Sequence, residues 1–275
     1  MAKPFAFSEL LARVQALIRR STCVTAPSEL KVADLTLDFH ARKVFRADGE
    51  IFLQPLEFSL LEYLMRNAGR YFPLVVGNRW VYQGDTDEGT EVITVKVLNE
   101  TKEIEYPEDS GNIFICRVVR DVVELEGEVI EDTDDWYAQA TNGDIWYFGE
   151  ISQVFEDGEL VELEGSWKAG KEGAHPGILI QNDPQPENIY RQEYWLAEAE
   201  DVAEVISLDE ESVTVPVDGG TTYDSDVLKT KDFTPIEPDV FEYKYYAPGV
   251  GLLREEAFED DMATGEIVEL ISKNF

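Results

Sequence analysis

The sequence predicts a mainly β protein, in which a large antiparallel module of meander, barrel-like or sandwich form follows a small α+β fragment. Three observations predict it. Beyond residue 70, Gly, Asn-Gly and Asp-Gly turn signals recur roughly every 8 to 15 residues between short alternating or β-branched runs, the punctuation of a meandering sheet. All five tryptophans and ten of the twelve tyrosines fall between Trp80 and Tyr246, side chains that suit a half-buried pleated surface. The charge also changes abruptly: residues 1–70 carry ten Lys/Arg against eight Asp/Glu, whereas residues 71–275 carry 13 against 49. Such a shift marks two modules of different origin.

In chain order, Phe7–Arg20 reads as an amphipathic helix. Ser8 is its N-cap, Leu10, Leu11, Val14, Leu17 and Ile18 form an apolar stripe, and Arg19-Arg20 suit the negative end of the helix dipole. Residues 21–28 read as a linker. Leu30–Asp38 and Lys43–Arg46 read as strands, Asp48-Gly49 turns the chain into Ile51–Leu53, and Pro55 opens a helix over Leu56–Ala68 that Gly69 closes. In the acidic part, strands Arg79–Gln83 and Glu91–Val97 flank an acidic loop, Gly84–Thr90. Ile113–Leu125 is one long strand. Val129–Gln139 and Asp144–Ile151 form a hairpin across Asn142-Gly143, and Val154–Phe155 and Leu160–Leu163 flank Asp157-Gly158. Glu211–Val217, Asp226–Phe233, Val240–Ala247 and Gly251–Glu256 complete the strands. Gly249-Val250-Gly251 is a hairpin turn, and Trp195–Val205 is the one helical stretch of the module.

The chain has 275 residues, of which 44% are hydrophobic, and a formal net charge of −34. That apolar share supports a packed core. No apolar run is long enough to span a membrane, and the N-terminal residues lack the continuous apolar core of a signal peptide. An acidic module repels DNA, RNA and anionic lipid, since phosphate binding needs Lys/Arg; cations and basic partners remain compatible with it. Cys23 and Cys116 stand alone, one per module, without metal-ligand spacing. The stripe of the Phe7–Arg20 helix is expected to dock on a second copy of the chain or on other apolar surface.

The segments KPFAFSELLARVQALIRR, with Lys3-Pro4, and LKVADLTLDFHARKVFRADGEIFLQPLEFSLLEYLMRNAGR resemble response regulators of the OmpR/PhoB type, nearest to their heavy-metal-responsive members. The resemblance implies the end of a receiver domain with its linker at 1–25 and the start of a winged-helix effector domain at 26–70. The receiver portion that would carry the phospho-accepting Asp is missing from it. After Arg70 the text YFPLVVGNRWVYQGD replaces the recognition helix and wing, so the expectation is a truncated fragment that cannot read DNA. Residues 71–275, through YFPLVVGNRWVY, DWYAQ, NGDIWYFGE, VTVPVDGG and YKYYAPGVGLLREE, resemble a class of secreted bacterial β-rich proteins. That resemblance implies a lipocalin-like or lipoprotein-carrier fold and an extracytoplasmic origin, with no reaction attached.

The sequence holds no GxSxG, HExxH, GxxxxGK[ST] or CxxC pattern, and His40 and His175 are too few and too distant for a zinc triad. Calcium is the sharper expectation. Asp85, Asp87, Glu88 and Glu91 crowd one loop, and strand alternation puts Asp132 and Asp134 on one face beside Glu131 and Asp135. A solvated acidic face is the plain alternative. Trp136, Trp146 and Trp195 are candidates for a ring-lined ligand cleft, against the alternative that they fill the core of a curved sheet. The functional expectation is therefore a non-catalytic binding or structural protein. The alternatives are a regulator-derived protein-interaction module and a hydrolase using an acidic pair in an aromatic cleft.

Overall fold

The computed structural model describes residues 29–275 apart from 33–34, 40, 47–48, 67–69, 87, 164 and 210. The helix expected over Phe7–Arg20, with its proposed self-association, and Cys23, His40 and Asp87 lie outside the described residues. The chain divides into two units, the first ending at Phe58 and the second running from Ser59 to Phe275.

In the first unit, β1 (Glu29–Val32), β2 (Leu35–Asp38), β3 (Lys43–Arg46) and β4 (Gly49–Ile51) form an antiparallel meander. The single strand expected over Leu30–Asp38 is two, since Val32 pairs with Leu35. Leu37, Val44 and Ile51 stand opposite one another across β2, β3 and β4, so one face carries the apolar row. Helix α1 (Pro55–Arg66) starts where Pro55 sets the backbone angle and the Glu57 carboxylate accepts a hydrogen bond from the Gln54 backbone N–H at 2.7 Å. The Arg42 guanidinium lies 4.6 Å from the centre of the Phe58 ring. Among the described residues no further α-helix follows α1, and no helix is long and apolar enough to cross a membrane.

The second unit is one large, mainly antiparallel sheet, as the turn spacing predicts. Its first half is a run of hairpins: β5 (Arg79–Thr86), β6 (Gly89–Glu105), β7 (Ile113–Leu125), β8 (Glu128–Gln139), β9 (Ile145–Glu156) and β10 (Glu159–Glu162). Beyond β9 come β11 (Trp167–Lys168), β12 (Gly177–Ile180), β13 (Ile189–Arg191) and β14 (Val202–Leu208). A two-stranded ribbon of β15 (Val213–Val215) and β16 (Thr221–Tyr223) precedes β17 (Leu228–Phe233), β18 (Val240–Ala247), β19 (Gly251–Glu259) and β20 (Met262–Asn274). The order across the sheet is β10-β9-β8-β7-β6-β5-β20-β19-β18-β17-β14-β13. Strand β20, which carries no clear sequence signal, pairs with β5 and joins the two halves.

Two expectations are corrected. The acidic loop Gly84–Thr90 is mostly strand, because the Thr86 hydroxyl accepts from the Glu88 N–H at 3.2 Å and donates to the Gly89 carbonyl at 3.1 Å, closing a tight turn. The helix over Trp195–Val205 is a hairpin. Trp195 and Ala199 exchange backbone hydrogen bonds at 2.8 and 2.9 Å, and Glu200 is drawn to the Ala197 N–H and the Arg191 guanidinium instead of a helix face.

The hydrogen-bonded path does not close into a barrel: β10 and β13 are its ends, and the far edge of β9 is shared in turn by β12, β11 and β10. The β12 edge and the β13 edge nevertheless meet at a seam. His175 donates its backbone N–H to the Tyr194 carbonyl at 2.8 Å, and the Gln192 amide donates to the Leu179 carbonyl at 3.1 Å. The backbones approach so closely there that a β-carbon on Gly177 would sit 2.1 Å from the Gln192 carbonyl oxygen. Gly177→Ala is therefore expected to destabilise the protein by about 2 kcal/mol, seen as a fall of several degrees in Tm by calorimetry; an unchanged Tm would show that the seam yields freely.

Candidate functional site

A cleft of about 300 Å³ lies beside β9, lined by Trp136, Trp167 and Trp195, by Lys102, Lys168 and Lys171, and by Glu150, Ile151, Ser166, Glu172 and Ala174. Strand alternation explains Trp136: its neighbours Asp135 and Tyr137 line a separate cavity, so the residue between them turns the other way. The Lys102 ammonium stands 4.6 Å from the Trp136 ring centre, a cation–π contact. Trp195 is oriented by donating its indole N–H to the Glu172 carbonyl at 3.2 Å, and Trp167 by donating to the Glu193 carboxyl at 3.3 Å. Lys171 pairs with Glu108.

The floor is set by a bulge. Near the turn, β8 and β9 pair Tyr137 with Tyr147, a register that would leave Asp135 opposite Gly149; the irregularity between Asp135 and Tyr137 brings Glu150 opposite Asp135 instead. Gly149 permits this with a φ of 123°, and a β-carbon there would meet the Trp167 carbonyl oxygen at 2.3 Å. Asp135 and Glu150 consequently face the same phenol: Tyr147 Oη lies 2.6 Å from Asp135 Oδ1 and also contacts Glu150 Oε2. The Tyr147 ring packs tilted against Tyr137 and edge-on to Trp167, with centroids 4.7 and 5.2 Å apart.

Burial pushes the Glu150 carboxyl well up, reinforced by the charges of Asp135 and Glu193. Asp135 is raised by burial too, although hydrogen bonds from its neighbours oppose the shift. Glu193 is pushed up to about 8 by burial, with Asp201 adding to it. Groups displaced this far beside a cleft are what functional sites collect.

The predicted ligand-cleft residues are thus partly gathered. Trp136 and Trp195 share the cleft, whereas Trp146 lines a second, apolar hollow of about 300 Å³ with Tyr106, Phe114, Phe148 and Pro176. His175 Nδ1 shares a 2.7 Å hydrogen bond with the Tyr106 hydroxyl. Of the predicted calcium ligands, Asp85 accepts from the Thr90 hydroxyl at 2.9 Å. Glu88 lies in the turn, and burial raises the Glu91 carboxyl. Asp132 and Asp134 do share a face, and the cation they meet is Arg120, which grips Asp134 at 2.8 and 2.9 Å and reaches Asp132 at 3.3 Å. Among the described residues no group of three or more His, Cys, Asp or Glu side chains is placed to hold a metal ion. Cys116 is buried and free, its thiol pushed up to about 12 by burial.

Sequence reasoning missed Trp167, Glu150, Glu193 and the three lysines. The only forward signal was the Asn142-Gly143 turn, which nearly aligns residues 135 and 150.

No family model matches the chain. Part of it is similar to transcriptional regulatory proteins of the OmpR family. Identity is 42% over 100 residues with CusR of Escherichia coli K12, covering 36% of this chain and 44% of that protein. With CutR of Streptomyces coelicolor it is 41% over 107 residues, 39% and 49% of the two chains, and with PcoR of Escherichia coli 33% over 128 residues, 46% and 56%. The chain spans about half the length of these relatives. Among solved structures, a Bacteroides fragilis protein described as exported and YmcC-like in fold superposes with a TM-score of 0.41 at 14% identity, over 75% of this chain and all of that one. A Parabacteroides distasonis protein described as a lipoprotein gives 0.37 at 16%, over 75% and 99%.

Protonated Glu193 makes stability pH-dependent with a definite sign. The native state holds the proton up to about pH 8, while an unfolded Glu releases it near 4.3, so raising the pH through that window favours unfolding. The urea midpoint is expected to fall between pH 5.5 and pH 8.5, and to fall less in Glu193→Gln; equal declines in the two proteins would contradict the assignment.

Proposed function

We propose that the second unit is a non-catalytic binding module whose cleft takes an anionic ligand with a ring-bearing part, an acidic saccharide being the class that fits both features. One observation carries the reading. Residues 71–275 hold 13 cationic side chains against 49 acidic ones, yet three of those 13 line a single cleft together with three of the five indoles. Indole faces stack on sugar or aromatic rings, and ammonium groups supply charge-assisted hydrogen bonds to carboxylate or sulfate. Lys168 has no ion-pair partner among the described residues and Lys102 lies over a ring rather than a carboxylate, so two ammoniums remain for a ligand. Glu150, held protonated by burial, presents a hydrogen-bond donor rather than a repelling charge.

A hydrolase is the second reading, favoured by that same protonated Glu150. What weighs against it is that Asp135, the carboxyl that shares Tyr147 with Glu150, lines a different cavity, which leaves Glu172 as the other carboxyl of the cleft for the acidic pair a glycosidase uses. The test is titration of tryptophan fluorescence with uronate oligosaccharides and their neutral counterparts. Saturable binding of the acidic series is expected, weakened about tenfold (roughly 1.4 kcal/mol) by Lys168→Ala or Trp195→Ala. Equal response to both series would sink the anionic reading, and release of new reducing ends would establish the hydrolase.

A further inference from the structure

A third cavity, of about 150 Å³, lies within the sheet of the second unit, between β5–β8 on one side and β12, β18 and β19 on the other. Its wall mixes aromatic rings, Phe72, Tyr82, Tyr137 and Tyr246, with the carboxyl groups of Asp121, Asp135 and Glu255 and a single cation, Lys244. That cation is already engaged: Lys244 Nζ lies 3.1 Å from Glu242, 3.2 Å from Glu255 and 4.0 Å from Asp232. Asp135 accepts the Tyr147 hydroxyl. Asp121 is left over, its Oδ1 sealed from solvent without a hydrogen-bond partner.

We propose that this cavity binds a small organic cation, an alkylammonium ion, paired with Asp121 and enclosed by the tyrosine rings. The chemistry selects that class. An anion would find Lys244, the cation on the wall, already engaged by Glu242, Glu255 and Asp232. A hard metal ion wants six or more oxygens, and no such group of ligands is assembled among the described residues. An ammonium head takes one carboxylate and ring faces together, and about five water volumes of space, at roughly 30 Å³ each, suit an ion of about that many heavy atoms. The cavity and the indole-lined cleft have no lining residue in common, although Asp135 of the one and Glu150 of the other meet at Tyr147.

Burial, reinforced by Asp135, Glu131 and Glu255 and opposed by Lys244, pushes the Asp121 carboxyl well above the ordinary aspartate range. In the complex Asp121 is a carboxylate paired with the ammonium, and a proton held by it in the empty cavity leaves to buffer as the cation enters.

Calorimetric titration of the full chain with butylammonium chloride tests this, against sodium chloride at equal ionic strength and against 1-butanol as the neutral analogue. The expected result is saturable binding of butylammonium alone, with buffer-dependent heats that report proton release. Affinity should rise up to tenfold per pH unit and be lost in Asp121→Asn, which keeps the shape of the side chain. Binding of 1-butanol with equal strength, heats matched by sodium, no proton release, or full affinity in a folded Asp121→Asn would each overturn it. Because acidic-oligosaccharide binding is read separately through tryptophan fluorescence, failure here leaves the cleft reading standing, and the reverse holds as well.

Discussion

Carboxyl groups in the interior of a sheet are the constraint around which the second unit is organised. A charged carboxylate removed from water needs a cation or several hydrogen bonds, or it takes up a proton. With so few cations in residues 71–275, each route is used where the geometry allows. Lys244 gathers Glu242, Glu255 and Asp232 around one ammonium. Arg120 and Arg254 grip acids at the surface, Arg254 meeting Glu269 at 2.6 Å. At Glu150, Glu193 and Asp121 burial instead raises the carboxyl far above its ordinary range, favouring the protonated form. The indole-lined cleft and the inner cavity lie against groups of the last kind.

The cleft depends on this in a second way. With the Glu150 carboxyl pushed up by burial, the charge beneath Lys102 and Lys168 is reduced, and these two ammoniums line the cleft of a strongly anionic molecule without an ion-pair partner among the described residues. Its geometry rests on the Gly149 bulge: the same irregularity that seats Glu150 beside Asp135 lets β11 cross close enough for Trp167 to form one wall.

The fold class was legible because turn chemistry is local. Ile113–Leu125, Val240–Ala247 and the turn at Asp157-Gly158 are found where periodicity and Gly/Asp placement put them. What was illegible is non-local. Strand β20 reads as unremarkable acidic text, since many of its residues are exposed, and it is defined by pairing with β5 almost two hundred residues earlier. The hairpin at Trp195 was mistaken for a helix because alanines and glutamates favour helix by propensity, while β14 pairing with β17 decided the outcome. The lysines of the cleft come from β6, β11 and the loop after it, and no spacing rule joins them. Likewise, Trp136 and Trp195 could be named as candidates but not grouped, and Trp146, one register step along β9, went to a different hollow.

The seam between the β12 and β13 edges has a mechanical consequence. The hairpins of the first half are stitched by long ladders, β6 to β7 above all, whereas this junction has one backbone bridge, tight packing at Gly177 and side-chain bonds: Gln192 to Leu179, Trp167 to Glu193 and Trp195 to Glu172. Local opening follows the line with fewest bonds to break. Leu179 and Ile180, which border this junction, also wall the inner cavity, so any loosening of the seam would bear directly on that cavity while both runs of hairpins stay paired.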